Sequence, residues 1–107
     1  MYYRVEQGER ELVLVTRDKI TVYNPNTLEV IKEINSTNTG SVILGNNLYI
    51  GTGTDLYRYR LNDNLIVDKP GIPVNHITTN GVNLFVADNT GLKILDSNLN
   101  TIDELPN

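Results

Sequence analysis

The side chains best suited to chemistry in this 107-residue chain are few and scattered. His76 is the single histidine and follows Asn75. Imidazole titrates near neutral pH and ligates metals, so His76 is a candidate ligand or metal contact. With no carboxylate at a fixed spacing, it also reads as a polar strand-end residue bonded to backbone or water. Asp18 and Asp55 lie in matching turns, Arg17-Asp18-Lys19 and Gly53-Thr54-Asp55, with Asn89-Thr90-Gly91 as the third. The stretch Leu56-Tyr57-Arg58-Tyr59-Arg60-Leu61 alternates aromatic and basic residues. In a strand, that alternation puts tyrosines on one face and arginines on the other. Stacking on a base or sugar is one use of such a strip. The other is cross-strand packing, with the arginines paired to local acids. The ligand-binding candidates are therefore His76, Asn75, Asp18, Asp55, Tyr57 and Arg58.

Catalytic inventories are missing from the sequence. There is no Ser/His/Asp grouping, no glycine-rich phosphate loop between strand and helix, and no HExxH. No acidic loop has the spacing of an EF-hand. No catalytic residue, metal or cofactor is assigned on this basis. Dispersed carboxylates meeting in space remain open as a hydrolytic alternative.

Composition narrows the partners. The formal net charge is −4, so general binding to nucleic acid or to anionic membranes is disfavoured. The absence of cysteine removes disulfides, thiolate nucleophiles and cysteine metal sites. The start Met1-Tyr2-Tyr3-Arg4-Val5-Glu6 lacks the basic-then-apolar order of a signal peptide, and no apolar run reaches membrane-spanning length. The expectation is a cytoplasmic protein, or one carried within a virion, with no membrane insertion.

The elements that must position these residues follow from an internal repeat. Leu12, Leu48 and Leu84 are 36 residues apart, and the following residues stay in step: Val13, Tyr49 and Phe85, then Leu14, Ile50 and Val86. After a short turn Ile20, Leu56 and Leu92 match again. Arg58 occupies the position that Val22 and Ile94 keep apolar, which suggests a buried or interface ion pair. Each copy reads as four short strands separated by Gly, Asn, Asp and Pro. The first copy gives Tyr3–Gln7, Leu12–Thr16, Ile20–Tyr23 and Leu28–Ile34. The second gives Ser41–Leu44, Leu48–Thr52, Leu56–Leu61 and Leu65–Val67. The third gives His76–Thr79, Leu84–Ala87, Leu92–Leu95 and Leu99–Leu105. Gly45-Asn46-Asn47, Asn80-Gly81, Asn24-Pro25-Asn26 and Asn62-Asp63-Asn64 supply turn chemistry, since Gly and Asn tolerate positive φ. No helical period is sustained. The chain is expected to be one all-β repeat domain, 1–107, divided near 1–36, 37–73 and 74–107.

Leu48-Tyr49-Ile50-Gly51-Thr52 and Leu84-Phe85-Val86-Ala87-Asp88 resemble the second strand of YVTN- or NHL-type β-propeller blades. Asn89-Thr90-Gly91-Leu92-Lys93-Ile94-Leu95-Asp96 resembles the tight turn and third strand of the same blades. The resemblance covers nearly the whole chain three times and implies a fold, not an activity. A β-trefoil also has three four-stranded lobes and is the alternative; its Gln-x-Trp signature is missing, and the chain has no tryptophan.

The resemblance places the turns between second and third strands on the same face as the links between blades. Asp18, Asp55, Asn38, Asn75 and His76 are then expected around one mouth of a channel, where propellers often bind ligands.

Propellers close with four to eight blades. Three blades leave two faces open, and two such chains would close a ring of six. The expectation is a homodimer in which Leu84, Leu92 and Ile94 of one chain pack on Val5, Leu12 and Leu14 of the other. Two function classes follow. One is a non-enzymatic protein-interaction or structural module, part of a viral or other larger assembly. The alternative is a ligand- or sugar-binding, or hydrolytic, propeller acting at the channel mouth.

Overall fold

The computed structural model describes residues 2–6, 9–45, 47–60 and 65–106, with side chains for 10–45, 47–59 and 71–106. The expected turn Asn62-Asp63-Asn64, with Gln7, Gly8, Asn46 and the Val5 side chain, lies outside the described residues.

The structure is all-β among the described residues. Twelve strands form three four-stranded antiparallel sheets, each pairing its strands in chain order. Sheet I contains β1 (Tyr2–Glu6), β2 (Glu9–Val15), β3 (Lys19–Tyr23) and β4 (Val30–Asn35). Sheet II contains β5 (Gly40–Leu44), β6 (Asn47–Gly51), β7 (Asp55–Arg60) and β8 (Leu65–Pro70). Sheet III contains β9 (His76–Thr79), β10 (Leu84–Asp88), β11 (Gly91–Leu95) and β12 (Thr101–Pro106). The chain divides into two compact units, Met1–Asn38 with sheet I and Thr39–Asn107 with sheets II and III.

The fourth strands of sheets I and III start later than expected, both for one reason. Leu28 and Leu99 were expected to open the fourth strands, yet both have left-handed backbones, at φ 62° and 66°. The polar side chains before them close the turns. Asn24 Oδ1 accepts from the Asn26 and Thr27 amides at 2.9 and 3.2 Å. Asp96 Oδ1 accepts from the Asn98 and Asn100 amides, both at 2.9 Å. Such side-chain-to-backbone bonds outcompete strand pairing locally. Each turn is followed by a bulge in the ladder, between Val22 and Tyr23 in sheet I and between Ile94 and Leu95 in sheet III.

Strand register fixes which side chains share a face. Opposed residues of an antiparallel pair point the same way, and successive residues point oppositely. In sheet II, Val42, Tyr49 and Arg58 are aligned, as are Gly40, Gly51 and Leu56. These belong to one face, here called the leading face. Leu48 and Tyr59 are aligned on the opposite, trailing face. In sheet III, Phe85 aligns with Ile94, and Ala87 with Leu92, on the leading face. Leu84 aligns with Leu95, and Val86 with Ile77, on the trailing face.

Within Thr39–Asn107 the leading face of sheet II packs on the trailing face of sheet III. The apolar cluster contains Leu44, Tyr49 and Leu56 from the first, and Ile77, Leu84, Val86 and Leu95 from the second. Ile72 and Val74 join it from the link between the sheets, and Leu99 from the β11–β12 turn. Gly40 and Gly51 set the closeness of approach: a Cβ on Gly40 would lie 3.2 Å from Ile77 Cγ2, and one on Gly51 2.4 Å from Val74 Cβ. Leu84 is fully buried in this cluster. It is therefore not available to a second copy as the repeat suggested; its neighbour Phe85, one residue on and so on the other face, is only partly buried.

Candidate functional site

The candidate residues of Thr39–Asn107 are positioned by turns and by the link that starts β9. The Thr52–Asp55 turn closes through the Thr52 amide donating to Asp55 O at 2.8 Å, and the link joins it through the Val74 amide donating to Thr52 O at 2.9 Å. Asp55 holds the link too, its Oδ1 accepting from the Gly71 amide at 3.3 Å. Its Oδ2 accepts from Thr54 Oγ1 at 3.1 Å and from the Tyr57 hydroxyl at 3.4 Å. Asn75 follows the link, its amide donating to Ala87 O at 2.9 Å. Its side chain donates to Asn89 Oδ1 of the β10–β11 turn at 2.7 Å. Asp55, Tyr57, Asn75 and Asn89 thus line one end of this unit, with exposed His76 next in the chain.

Chemically, this end is a row of neutral amides and hydroxyls around one carboxylate that is already bonded. Among the described residues the His76 imidazole has no hydrogen-bond partner. Among the described residues no group of three or more His, Asp and Glu side chains converges on a metal-sized site. No helix among them is long and apolar enough to cross a membrane.

Asp18 belongs to the other unit. Its carbonyl accepts from the Ser36 amide at 3.0 Å, so the β2–β3 turn holds the segment leaving sheet I. Asn38 completes this fastening from a buried position. Its Nδ2 donates to Thr16 O at 2.9 Å, and its Oδ1 accepts from Ser36 Oγ at 2.9 Å.

Arg58 is placed differently from the other candidates. It lies on the leading face of sheet II, away from Tyr57, and reaches across to the β11–β12 turn. Its Nη1 donates to Ser97 O at 3.2 Å and to Asn98 Oδ1 at 2.9 Å. The Tyr49 hydroxyl donates to the same Ser97 carbonyl. Burial pushes the Tyr49 phenol pKa up, so the hydroxyl keeps its proton and remains a donor. The expected ion pair is in fact a clamp on a backbone carbonyl and an amide side chain. The arginine does not lie in a free aromatic–basic strip.

A charged arrangement that the sequence did not single out is centred on Asp88. Asp88 Oδ1 accepts from Thr90 Oγ1 at 2.6 Å and from the Thr90 and Gly91 amides at 2.7 and 3.1 Å. Its Oδ2 pairs with Lys93 Nζ at 3.1 Å. The Thr90 hydrogen bonds, then those from Lys93, hold this carboxyl well below the usual carboxylate range. The Asp-x-Thr-Gly spacing of a tight turn was its only signal in the sequence. It closes the β10–β11 hairpin.

A further surface feature is the leading face of sheet III. Phe85, Ala87, Leu92 and Ile94 are each only partly buried, and Leu105, aligned with Leu92, is 52% exposed. A shallow groove lined by Gly91, Leu92, Lys93, Glu104, Leu105 and Pro106 runs between β11 and β12. Comparison with protein-family models and with curated proteins finds no match.

Proposed function

We propose that the chain is a non-catalytic, self-associating interaction module of YVTN/NHL-like blades, in which two copies close a six-bladed β-propeller. One observation carries this reading. Equivalent positions of the repeat are covered where the chain supplies a neighbouring sheet and uncovered where it does not. Leu84, Val86 and Leu95 on the trailing face of sheet III are 0%, 1% and 0% exposed, packed against sheet II. Their counterparts in sheet I, Leu12, Leu14 and Tyr23, are only partly buried. Tyr49 and Leu56 on the leading face of sheet II are fully buried, whereas Phe85 and Leu92, their counterparts in sheet III, are not.

The two open surfaces are therefore counterparts of the two that pack together inside Thr39–Asn107. The leading face of sheet III in one copy can take the trailing face of sheet I in another, as sheet II takes sheet III. Two such seams pair these two faces in both copies and end the assembly at two copies. Each seam is a cut through an apolar blade interface, which favours association at the usual scale for buried apolar area. The close approach of β5 and β9 from neighbouring sheets, and the in-order meander of each sheet, favour blades over trefoil lobes. The bonded turn end, Asp55 to Asn89, then serves to hold link and turns rigid rather than to transform a substrate.

Sedimentation equilibrium over a hundredfold concentration range tests the proposal. The expected species has twice the chain mass of 12.0 kDa, and the melting temperature rises with protein concentration. Ile94→Asp, which puts a charge in the seam without touching the internal cluster, is expected to abolish the dimer. A folded, monodisperse species of 12.0 kDa at all concentrations would overturn it.

A further inference from the structure

Leu28 is an anomaly. Leucine in the left-handed region carries a Cβ clash that glycine avoids and asparagine tolerates. The chain has glycine at Gly45, Gly71 and Gly81 where it needs this conformation, yet keeps leucine at Leu28 and Leu99. For Leu99 the reason is visible: it is 1% exposed and part of the cluster between sheets II and III. Leu28 has the same backbone and ends the matching turn, which is one residue longer: it is fourth after Asn24 where Leu99 is third after Asp96, and its amide bonds back to Asn24 O as that of Leu99 does to Asp96 O, but it is 65% exposed.

The turn that presents Leu28 is rigidly built. The Leu28 amide donates to Asn24 O at 2.7 Å, and the Asn24 amide donates to Glu29 O at 2.9 Å. Asn24 Oδ1 holds the Asn26 and Thr27 amides, and Thr27 Oγ1 accepts from the Glu29 amide at 3.3 Å. A strained, fastened, exposed leucine is a preorganised anchor: its conformational cost is met before any partner arrives. In the Leu99 turn, the receiving surface is the leading face of sheet II. Its counterpart on sheet III carries Phe85 for Tyr49, Leu92 for Leu56 and Ile94 for Arg58.

We infer that Leu28 is the anchor of self-association, inserting into the leading face of sheet III of a second copy against Phe85, Leu92 and Ile94, as Leu99 inserts into sheet II of its own chain. This inference rests on the two-copy reading above and adds the residue that locks each seam. It also assigns the seam a chemistry of its own. Inside the chain, Tyr49 and Arg58 donate to Ser97 and Asn98. Between copies, Phe85 and Ile94 have no donor to offer, and Pro25 stands where the other turn has Ser97. The contact is an apolar plug without the polar clamp, so charge screening by salt does not weaken it.

The test compares the full chain with Leu28→Gly and Leu28→Asp by sedimentation velocity, with far-UV circular dichroism to confirm folding. Glycine is the informative change because it relieves the backbone. If Leu28 is only a turn residue, Leu28→Gly raises the melting temperature and leaves dimerisation unchanged. If it is the anchor, Leu28→Gly weakens the dimer by about tenfold for each seam, so about a hundredfold in all, and Leu28→Asp weakens it further. A direct reading of placement comes from mixing Leu28→Cys and Ile94→Cys chains, possible because the native chain has no cysteine. A disulfide-linked heterodimer forming on oxidation supports the insertion. A wild-type dimer whose affinity is unchanged in Leu28→Gly, with no cross-link, overturns the anchor and leaves the two-copy reading standing. A monomeric wild-type chain overturns both.

Discussion

Replacing Gly51 by alanine probes how tightly the link between sheets II and III is built. A Cβ at residue 51 would lie 2.4 Å from both Cβ and Cγ1 of Val74, and 2.8 Å from its Cγ2. Carbon atoms rest at about 3.5–4.0 Å, so roughly 1 Å of separation must be found. Rotating the valine side chain does not supply it, because Cβ itself is one of the obstructing atoms. The backbone must move instead, and it is held on both sides. The Val74 amide donates to Thr52 O at 2.9 Å, the Thr39 amide donates to Gly51 O at 2.8 Å, and Thr39 Oγ1 donates to Val74 O. Overpacking in a rigid site costs about 1–3 kcal/mol, and this geometry belongs at the upper end. For a domain of this size, about 3 kcal/mol lowers the melting temperature by roughly 12–24 °C. Thermal and urea denaturation of Gly51→Ala measure it. Gly53→Ala is the control, since nothing lies within 4 Å of a Cβ there, and it is expected to shift stability by less than about 0.5 kcal/mol. In the background of Val74→Gly the alanine should become nearly harmless, whereas in Val74→Ala, which keeps Cβ, it should not. A loss below about 0.5 kcal/mol for Gly51→Ala, or equal rescue by both backgrounds, would refute the close-approach argument.

Two further outcomes are expected besides the association experiments already given. Asp88 has a folded-state pKa below its ordinary value, so its contribution to stability is present above about pH 4 and fades as pH falls below it. Asp88→Asn should therefore lower stability at neutral pH and flatten the acid limb of a pH–stability profile; an acid limb as steep as wild type would exclude Asp88 as its source. Tyr49→Phe, which copies Phe85 into the buried position, removes one donor to Ser97 O and should cost about 1 kcal/mol, roughly 4–8 °C in melting temperature. An unchanged midpoint would show that Arg58 alone suffices to hold the turn.

Much of the fold follows from local pattern. The 36-residue spacing of Leu12, Leu48 and Leu84, the short β-branched and aromatic runs, and the turn residues determine three meanders of antiparallel strands, because these signals act within a few residues of each other. Strand positions were legible for the same reason; His76–Thr79 has the bounds the sequence implied. Where the pattern misled, a competing bond had intervened. Leu28 and Leu99 have strand-like neighbours, but Asn24 and Asp96 hold them in left-handed turns through bonds that composition does not rank above strand pairing.

Only the tertiary structure decided what each face meets. The repeat aligns Leu84 with Leu12 and Phe85 with Val13, but a period of 36 does not say which of two successive residues points inward. Register in space settles that Leu84 is buried against sheet II and Phe85 is not. The same holds for Arg58: its type suggested an ion pair, while its partners, Ser97 and Asn98, lie 39 and 40 residues away. The candidate end at Asp55, Asn75 and His76 was legible as a set of equivalent turns, and the hydrogen bonds through Gly71, Thr52 and Asn89 came only from folding. Local propensity is encoded in neighbouring residues; facing, closeness and partnership are set by contacts between segments far apart in the chain, which no single stretch of sequence contains.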